Sequence, residues 1–290
     1  SGYLITRNLF SEADRTGGVA LVQFWARRIR RLVPALALVI VATFLATMWV
    51  RPVIGWGEVA AQGRAAALYV SNLTFASAST DYFAADVRSS PFLHTWSLSV
   101  EEQFYVVWPL LAGAACLLAA RSGRRRAWLV GAFALVGAVS LPLSLAQTAD
   151  GSVWAFYGLP SRAWEFAVAG LLAAVPARWL GWPRAARALA SVGGLALIAF
   201  ATLRFEESDP YPGVRALVPV LGTLLLIASG DGSADGGFRP LTWVFCTAPA
   251  QWLGRVSYSW DLWHWPAIVL AVDAFDPDTG ELRTTAAGVA

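Results

Sequence analysis

The chain contains no lysine. All 22 of its basic residues are arginine, so any cationic site it builds carries the flat, permanently charged guanidinium fork and not a compact ammonium. Cysteine is nearly absent as well. Cys116 and Cys246 are the only two. Both lie in or beside apolar runs with no CxxC or HxxE spacing, which argues against a disulfide framework and against a metal site. Both read as packing residues, and no metal is expected. There are only two histidines, His94 and His264. Charge as a whole is scarce, at 14% of 290 residues where a soluble domain carries roughly 25%. Hydrophobic residues make up 57%, and mean hydropathy is +0.54. That balance belongs to a membrane protein, not a soluble enzyme. A positive balance in such a protein usually reports orientation, so nucleic acid is a poor reading. There is no initiator Met and no signal pattern of basic, apolar and small residues, so the chain is expected to be a fragment beginning inside a membrane protein. No internal repeat, low-complexity tract or flexible linker divides it, and residues 1–290 read as a single transmembrane domain.

What is present are apolar runs near 32–50, 99–120, 128–147, 161–176, 188–204, 215–229 and 256–273. Crossing a ~30 Å hydrocarbon core takes about 20 residues, and only helices and closed barrels satisfy the backbone there. The fold class expected is therefore all-α: a polytopic integral membrane helical bundle with about seven complete spanning helices. Arginine sets its sidedness. Fifteen of the 22 fall in four segments beginning at Arg7, Arg121, Ala177 and Asp231, which the positive-inside rule places on the cytoplasmic face. Residues 51–98, 148–160, 205–214 and 274 onward then face outward. The stretch 58–76 is apolar but carries Glu58, Gln62 and Arg64. Spanning would break the alternation, so it reads as an interfacial or re-entrant helix.

Four motifs place polar side chains against this apolar background. "HTWSLSVEEQFY", residues 94–105, sets two adjacent carboxylates at the head of an apolar run. Ser99 to Glu102 has the S-x-x-E form of a capping box, and carboxylates in a first turn also gain from the helix dipole. Against that bland reading, His94, Glu101 and Tyr105 are spaced by 7 and 4 and fall near one helical face. A polar line entering an apolar segment is costly unless it faces protein or a water cavity. In "GRVSYSWDLWHWP", Ser257, Asp261 and His264 recur at i, i+4 and i+7. Pro266 removes the donor that would meet the Leu262 carbonyl, so a kink and a freed acceptor are expected near His264. Interhelical hydrogen bonds are the alternative there. "PSRAWEFAVAGLL" offers Arg162 and Glu165 at i, i+3, either an internal ion pair or a substrate clamp. "FWARRIRRLVPAL" places Arg27, Arg28, Arg30 and Arg31 before a spanning helix. This is either a topology anchor meeting anionic membrane lipids or an R-x-x-R site whose forks match the phosphates of a ligand such as coenzyme A.

Taken in order, "SGYLIT", "FWARRIRRLVPAL", "DYFAADVRSSPFLHTWSLSVEEQFYVVWPLL", "SRAWEFAVAGLLA" and "LGRVSYSWDLWHWP" resemble the signature segments of the membrane acyltransferase-3 family. The resemblance covers nearly the whole chain. It implies about ten spanning helices in a bacterial cytoplasmic (inner) membrane. It also implies acyl-CoA, with acetyl-CoA foremost, as donor on the cytoplasmic side. The acceptor it implies is a cell-envelope glycan or lipid-linked saccharide acylated at the outer face. By position, the family's R-x-x-R motif matches Arg28 and Arg31, its helix-start motif matches His94 through Tyr105, and its late motif matches Ser257 through Pro266. Two departures stand out: Asp261 occupies a position usually held by Tyr, and the family's presumed catalytic His lies upstream of "SGYLIT". The chain alone is therefore expected to be inactive, truncated at both ends.

O-acyl transfer needs a general base for the attacking hydroxyl and donors for the developing oxyanion. The resemblance gives the first task to the upstream His. It leaves Glu101 or Glu102 to orient that base or deprotonate the acceptor, and His94 and His264 to assist proton movement. Arg28 and Arg31 would hold the CoA phosphates, and Arg162, Glu165, Tyr105 and Ser257 would contact substrate. The rival reading is a non-enzymatic transporter, in which polar lines on kinked helices mark substrate or proton paths.

Overall fold

The computed structural model describes residues 1–80, 89–120, 122–175, 180–206, 209–230 and 246–275. "DYFAADVR" at 81–88, Arg121, Arg178, the segment 231–245 and the outward stretch from 276 lie outside them, as does the part of the sidedness argument that rests on those residues. Every regular element among the described residues is helical. In chain order they are α1 (Gly2–Thr16), α2 (Leu21–Val50), α3 (Trp56–Ala67), α4 (Ser71–Thr80), α5 (Thr95–Ala119), α6 (Arg125–Ala149), α7 (Trp154–Tyr157), α8 (Leu159–Ala174), α9 (Arg184–Arg204), α10 (Leu217–Gly230) and α11 (Ala248–Phe275). The expected all-α membrane architecture is thus present. α2, α5, α6 and α9 are long and apolar enough to cross a bilayer. α8 and α10 are apolar but have only 16 and 14 residues, about 24 and 21 Å at 1.5 Å per residue. α11 has 28 residues but carries Arg255, Asp261, His264 and Asp273. All seven apolar runs are helices, and four of them meet both criteria for crossing.

The chain divides into two compact units, residues 1–21 with 107–254 and residues 22–106 with 255–290. The first is built by close helix contact. An added Cβ on Gly2, in the "SGYLIT" segment, would lie 2.4 Å from the Phe166 carbonyl oxygen, so α1 and α8 meet backbone to backbone. Thr6, one turn on, accepts the Trp108 indole N–H at 2.7 Å, and Trp108 stacks on Phe133 with ring centroids 4.1 Å apart. Ser140 is inserted into the first turn of α8. It accepts from the Trp164 N–H at 2.9 Å and donates to the Pro160 carbonyl at 2.5 Å, bridging two groups that are helical partners by spacing. Cys116 is buried in this unit, as expected. Cys246 is not a packing residue: it is exposed, because it precedes α11 and lies on no packed helix face.

In the second unit, Leu36, Val39, Leu98 and Leu262 form the apolar core, with Tyr69 and Tyr258 packed against it. The stretch 58–76 is not one helix. It breaks into α3 and α4, of 12 and 10 residues, each too short to cross. The break falls at Tyr69, the one non-glycine residue with positive φ (55°) among the described residues. Two of the three polar residues that made 58–76 awkward as a span, Glu58 and Gln62, have partners. Gln62 donates to Glu58 at 3.0 Å and accepts from Ser90 Oγ at 2.6 Å. The far end of α2 is fixed by Arg51, which donates to Asp273 at 2.6 Å and to the Ser89 carbonyl at 2.6 Å.

α9 and α10 meet through two glycines. A Cβ on Gly194 would sit 2.7 Å from the Gly222 carbonyl oxygen, and one on Gly222 would sit 2.8 Å from that of Gly194. Neither backbone atom can rotate aside, which is the physical basis of small-residue contacts between membrane helices. Gly222→Val is expected to cost about 1–3 kcal/mol of overpacking, read as a lower melting temperature in detergent. Val substituted for Gly193, which faces open space, should leave the melting temperature nearly unchanged.

Candidate active site

The helix that carries the two carboxylates begins earlier than its sequence signal indicates. α5 starts at Thr95, so Ser99 is inside the helix and the capping-box expectation fails. Ser99 Oγ instead donates to the Thr95 carbonyl at 2.9 Å and accepts the Ser71 N–H at 3.1 Å. Thr95 Oγ1 lies 2.8 Å from Ser71 Oγ. Gln103 Nε2 donates to the Tyr69 carbonyl at 3.0 Å and to Asn72 Oδ1 at 2.8 Å. Thr95, Ser99 and Gln103, at i, i+4 and i+8, form one stripe that staples the α3–α4 break to α5.

Glu101, Glu102 and Tyr105 form a second stripe beside it. Glu102 meets Arg28, 74 residues away in sequence, with Oε1 to Nη2 at 2.7 Å and Oε2 to Nε at 3.5 Å. The two side chains are 13% and 23% exposed. The same guanidinium lies over the Tyr105 ring, 3.3 Å from its centroid, and the Tyr105 hydroxyl donates to Glu101 at 2.6 Å. Pro109 removes the N–H that would bond the Tyr105 carbonyl, and the Trp25 indole donates to that carbonyl at 3.0 Å instead. Trp25 and Arg28, one helical turn apart, therefore hold Tyr105 by its carbonyl and its ring. Trp25, Arg28, Glu102 and Tyr105 line a pocket of about 290 Å³, with Tyr69 and Gln103 on its polar side and Ile29, Leu32, Val33, Leu68, Val70 and Val106 on its apolar side; Glu101 is not in its wall.

The other expected site residues divide between this pocket and elsewhere. Arg31 is exposed and is not part of the pocket wall. His94 does not join Glu101 and Tyr105 on a helical face, because it precedes α5. It faces His264, with ring centroids 5.7 Å apart and planes at 70°. His264 Nδ1 lies 2.8 Å from the Asp261 carbonyl and 3.2 Å from that of Trp260. Carbonyls only accept, so Nδ1 carries a proton in this contact. Both ring nitrogens of His94 are buried without a hydrogen-bond partner. The Leu262 carbonyl, freed by Pro266, lies near enough to favour a proton on that ring but makes no full hydrogen bond. Burial, with His264 adding to it, lowers the His94 pKa to about 4. The Ser257–Asp261–His264 line does not point into this unit's core. α11 buries Leu262, Pro266 and Val269 instead, and Ser257 and Asp261 are exposed, because apolar side chains at i, i+4 and i+7 compete better for the packed face. In the first unit, Arg162 and Glu165 form a bidentate pair at 3.0 and 3.1 Å. The Arg162 guanidinium lies 5.8 Å from the ring centroids of both Phe156 and Tyr211. Burial, opposed by Arg162, pushes the Tyr211 phenol above its ordinary range.

Three pocket residues gave no site signal in sequence. Trp25 and Gln103 stand inside quoted motifs, and the proline rule applied at Pro266 identifies the Tyr105 carbonyl as an acceptor when applied at Pro109. Tyr69 left no signal at all.

Two measurements check this geometry. Arg28→Ala leaves Glu102 without its cation and should cost about 3 kcal/mol or more, and adding Glu102→Gln should recover much of the loss in melting temperature. For His94, the lowered pKa means that between pH 6.5 and about 4 the unfolded chain takes up a proton that the folded chain does not. Stability should therefore fall as pH drops through that window, and His94→Gln should flatten the slope.

Comparison with known proteins adds an independent line. The acyltransferase domain of the acyltransferase-3 family matches residues 1–289. The peptidoglycan O-acetyltransferase OatA of Listeria monocytogenes is 30% identical over 285 residues, 95% of this chain and 44% of that protein. The putative membrane-bound transacylase BcsY of Komagataeibacter xylinus is 32% identical over 250 residues, 86% of this chain and 60% of that protein. The putative peptidoglycan O-acetyltransferase YrhL of Bacillus subtilis is 31% identical over 284 residues, 93% and 43% respectively. This chain thus spans about half the length of these curated relatives. No solved structure matches. With two of the family's motif segments lining one pocket and the match running over residues 1–289, the chain belongs to the acyltransferase-3 family.

Proposed function

We propose that this chain is the membrane part of an O-acyltransferase of a bacterial cytoplasmic membrane, crossing it several times. It moves an acyl group, acetyl first among them, from acyl-CoA to a hydroxyl of a cell-envelope glycan. The names of its relatives favour peptidoglycan or a related saccharide as acceptor. The observation that carries the reading is the convergence of Arg28, Glu102 and Tyr105 on one pocket wall. A cation with a fork suited to phosphate and a carboxylate suited to accept a proton share one apolar-lined space.

The chemistry divides among these groups as follows. Glu102 engages Arg28 through Nε and Nη2, so the Nη1 edge is the one offered to a CoA phosphate. Tyr105 holds the guanidinium flat by stacking, worth about 1–2 kcal/mol where solvent is excluded. A carboxylate at Glu102 takes the proton of the attacking hydroxyl, or orients another base that does, and Glu101 is held in register by the Tyr105 hydroxyl. His94, just before α5, and His264, on α11, face each other and are assigned to proton movement away from the pocket. Arg162 and Glu165 are assigned to the acceptor side, with Tyr211 and Phe156 around them.

The test is acyl transfer from radiolabelled acetyl-CoA to a chito-oligosaccharide by the full-length protein in lipid nanodiscs. Glu102→Gln should lower turnover by about 10²–10⁴. Arg28→Ala should weaken acetyl-CoA binding at least tenfold, Arg28→Lys should recover only part, and Arg31→Ala should do less than Arg28→Ala because it lies outside the pocket wall. Equal acetyl-CoA affinity in wild type and Arg28→Ala would leave the arginines as topology anchors and refute the donor-site reading.

A further inference from the structure

Among the described residues only one charged side chain, Arg187, is more than nine-tenths buried, and it has no counter-ion among them. We propose that Arg187 and the open N-terminus of α9 together bind a phosphate group, supplied by the headgroup of an anionic phospholipid. The site lies apart from the acyltransferase pocket residues and does not depend on that reading.

Arg187 is 8% exposed and lies in the first turn of α9, which begins "RAAR". Its Nε is sealed from the surface without a hydrogen-bond partner, whereas Nη1 and Nη2 are not sealed. A guanidinium held in an apolar interior with nothing to meet it is costly. α10 does not relieve that cost. The Ser191–Ser229 hydrogen bond at 2.9 Å and the Gly194–Gly222 contact bring the end of α10 alongside the start of α9, yet no described carbonyl there receives the fork.

The start of α9 is open in its own right. Pro183 at its N-cap supplies no side-chain cap, and the first turn holds no acidic residue. The Arg187 N–H bonds the Pro183 carbonyl at 3.1 Å, so the N–H groups of Ala185 and Ala186 precede the helical ladder and have no acceptor among the described residues. Helical side chains lean toward the N-terminal end of their helix, which directs the Arg187 fork toward those amides. A phosphate accepts from the fork and the amides together, and the helix dipole adds to the attraction.

The source of the phosphate follows from depth. α9 is long and apolar enough to cross a bilayer, and Leu189 and Val192, just beyond Arg187, are exposed. Arg187 is three residues, about 4.5 Å, inside the first residue of that helix. Half-buried Trp182 immediately precedes the helix, and tryptophan favours the headgroup level of a membrane. The fork therefore works where lipid phosphates lie, with its stem along the acyl boundary. A headgroup with a net negative charge neutralises Arg187, which a zwitterionic one does not. Arg184 and Arg187 belong to an arginine-rich segment that the positive-inside rule assigns to the cytoplasmic face, so the lipid is one of that leaflet.

The experiment melts the full-length protein in dodecyl maltoside, which contains no phosphate, at constant ionic strength. The detergent is used alone and with rising dioctanoyl phosphatidylglycerol, dioctanoyl phosphatidylcholine or inorganic phosphate. Phosphatidylglycerol should raise the melting temperature more than the other two. Arg187→Met should weaken its apparent affinity about tenfold, as loss of a charged bidentate contact does, and Arg187→Lys should recover only part. Arg124→Gln removes an exposed arginine at the N-cap of α6 and should leave the affinity unchanged. In detergent alone Arg187→Met should melt no lower than wild type, because the charge removed was unpaired. Inorganic phosphate as effective as phosphatidylglycerol supports the anion site and overturns its assignment to lipid. Phosphatidylcholine as effective overturns the requirement for an anionic headgroup. An equal phosphatidylglycerol response in wild type and Arg187→Met overturns the site. So does a lower melting temperature of Arg187→Met in detergent alone, which would mean that the guanidinium is met within the protein.

Discussion

A carboxylate inside an apolar helix is tolerable only if something meets it, and in this chain Arg28 meets Glu102. Much else in the second unit follows from satisfying that one group. Arg28 must be presented one turn after Trp25, so the start of α2 is committed to α5 through two contacts, indole to the Tyr105 carbonyl and guanidinium to the Tyr105 ring. With Arg28 against Glu102 at one end and Arg51 against Ser89 at the other, residues 89–105 run along α2 in the opposite sense. The arginine-rich start of α2 and the carboxylate stripe of α5 thus lie at one level.

Proline is the second organising element. In lipid, a carbonyl whose helical donor is missing has no water to turn to, and at two of the internal prolines a side chain comes to the freed acceptor. Pro109 frees the Tyr105 carbonyl and Trp25 answers it fully. Pro266 frees the Leu262 carbonyl and His94 answers it incompletely, remaining buried without a true hydrogen bond. A helix break works the same way: Tyr69 exposes a carbonyl, and Gln103 closes it. Two of these three are closed, and the open one lies at the histidine pair.

How much of this was legible from sequence depends on the range of the interaction. Helices announced by long apolar runs were found, since burial in lipid leaves no competing solution for such segments. The roles of Glu101, Glu102, Arg28 and Tyr105 as polar intruders were also legible, but their pairing was not: Arg28 and Glu102 are 74 residues apart, and no periodicity reaches that far. The S-x-x-E spacing misled because Thr95, Ser99 and Gln103 already use the local backbone and side-chain partners, starting the helix a turn earlier. The Ser257 line misled because a polar stripe and an apolar stripe occupy the same helix, and packing follows the apolar one. Tyr69 was invisible in principle. A left-handed residue is usually announced by glycine or asparagine, and a tyrosine enforced there by Gln103 carries no local mark.

The absence of lysine gains meaning from this geometry. Arg28 presents one edge to Glu102 and one face to Tyr105 at the same time, and the remaining edge is still an N–H donor pair. An ammonium has no faces and no edges. It would satisfy the carboxylate as a point charge and lose the flat stack on the ring. The pocket is thus built on a residue that meets a carboxylate and an aromatic face with one charge, which suits a chain with only 14% charged residues. Each additional cation placed there would need its own counter-charge, and each such pair adds a desolvation cost that its mutual attraction does not reliably offset.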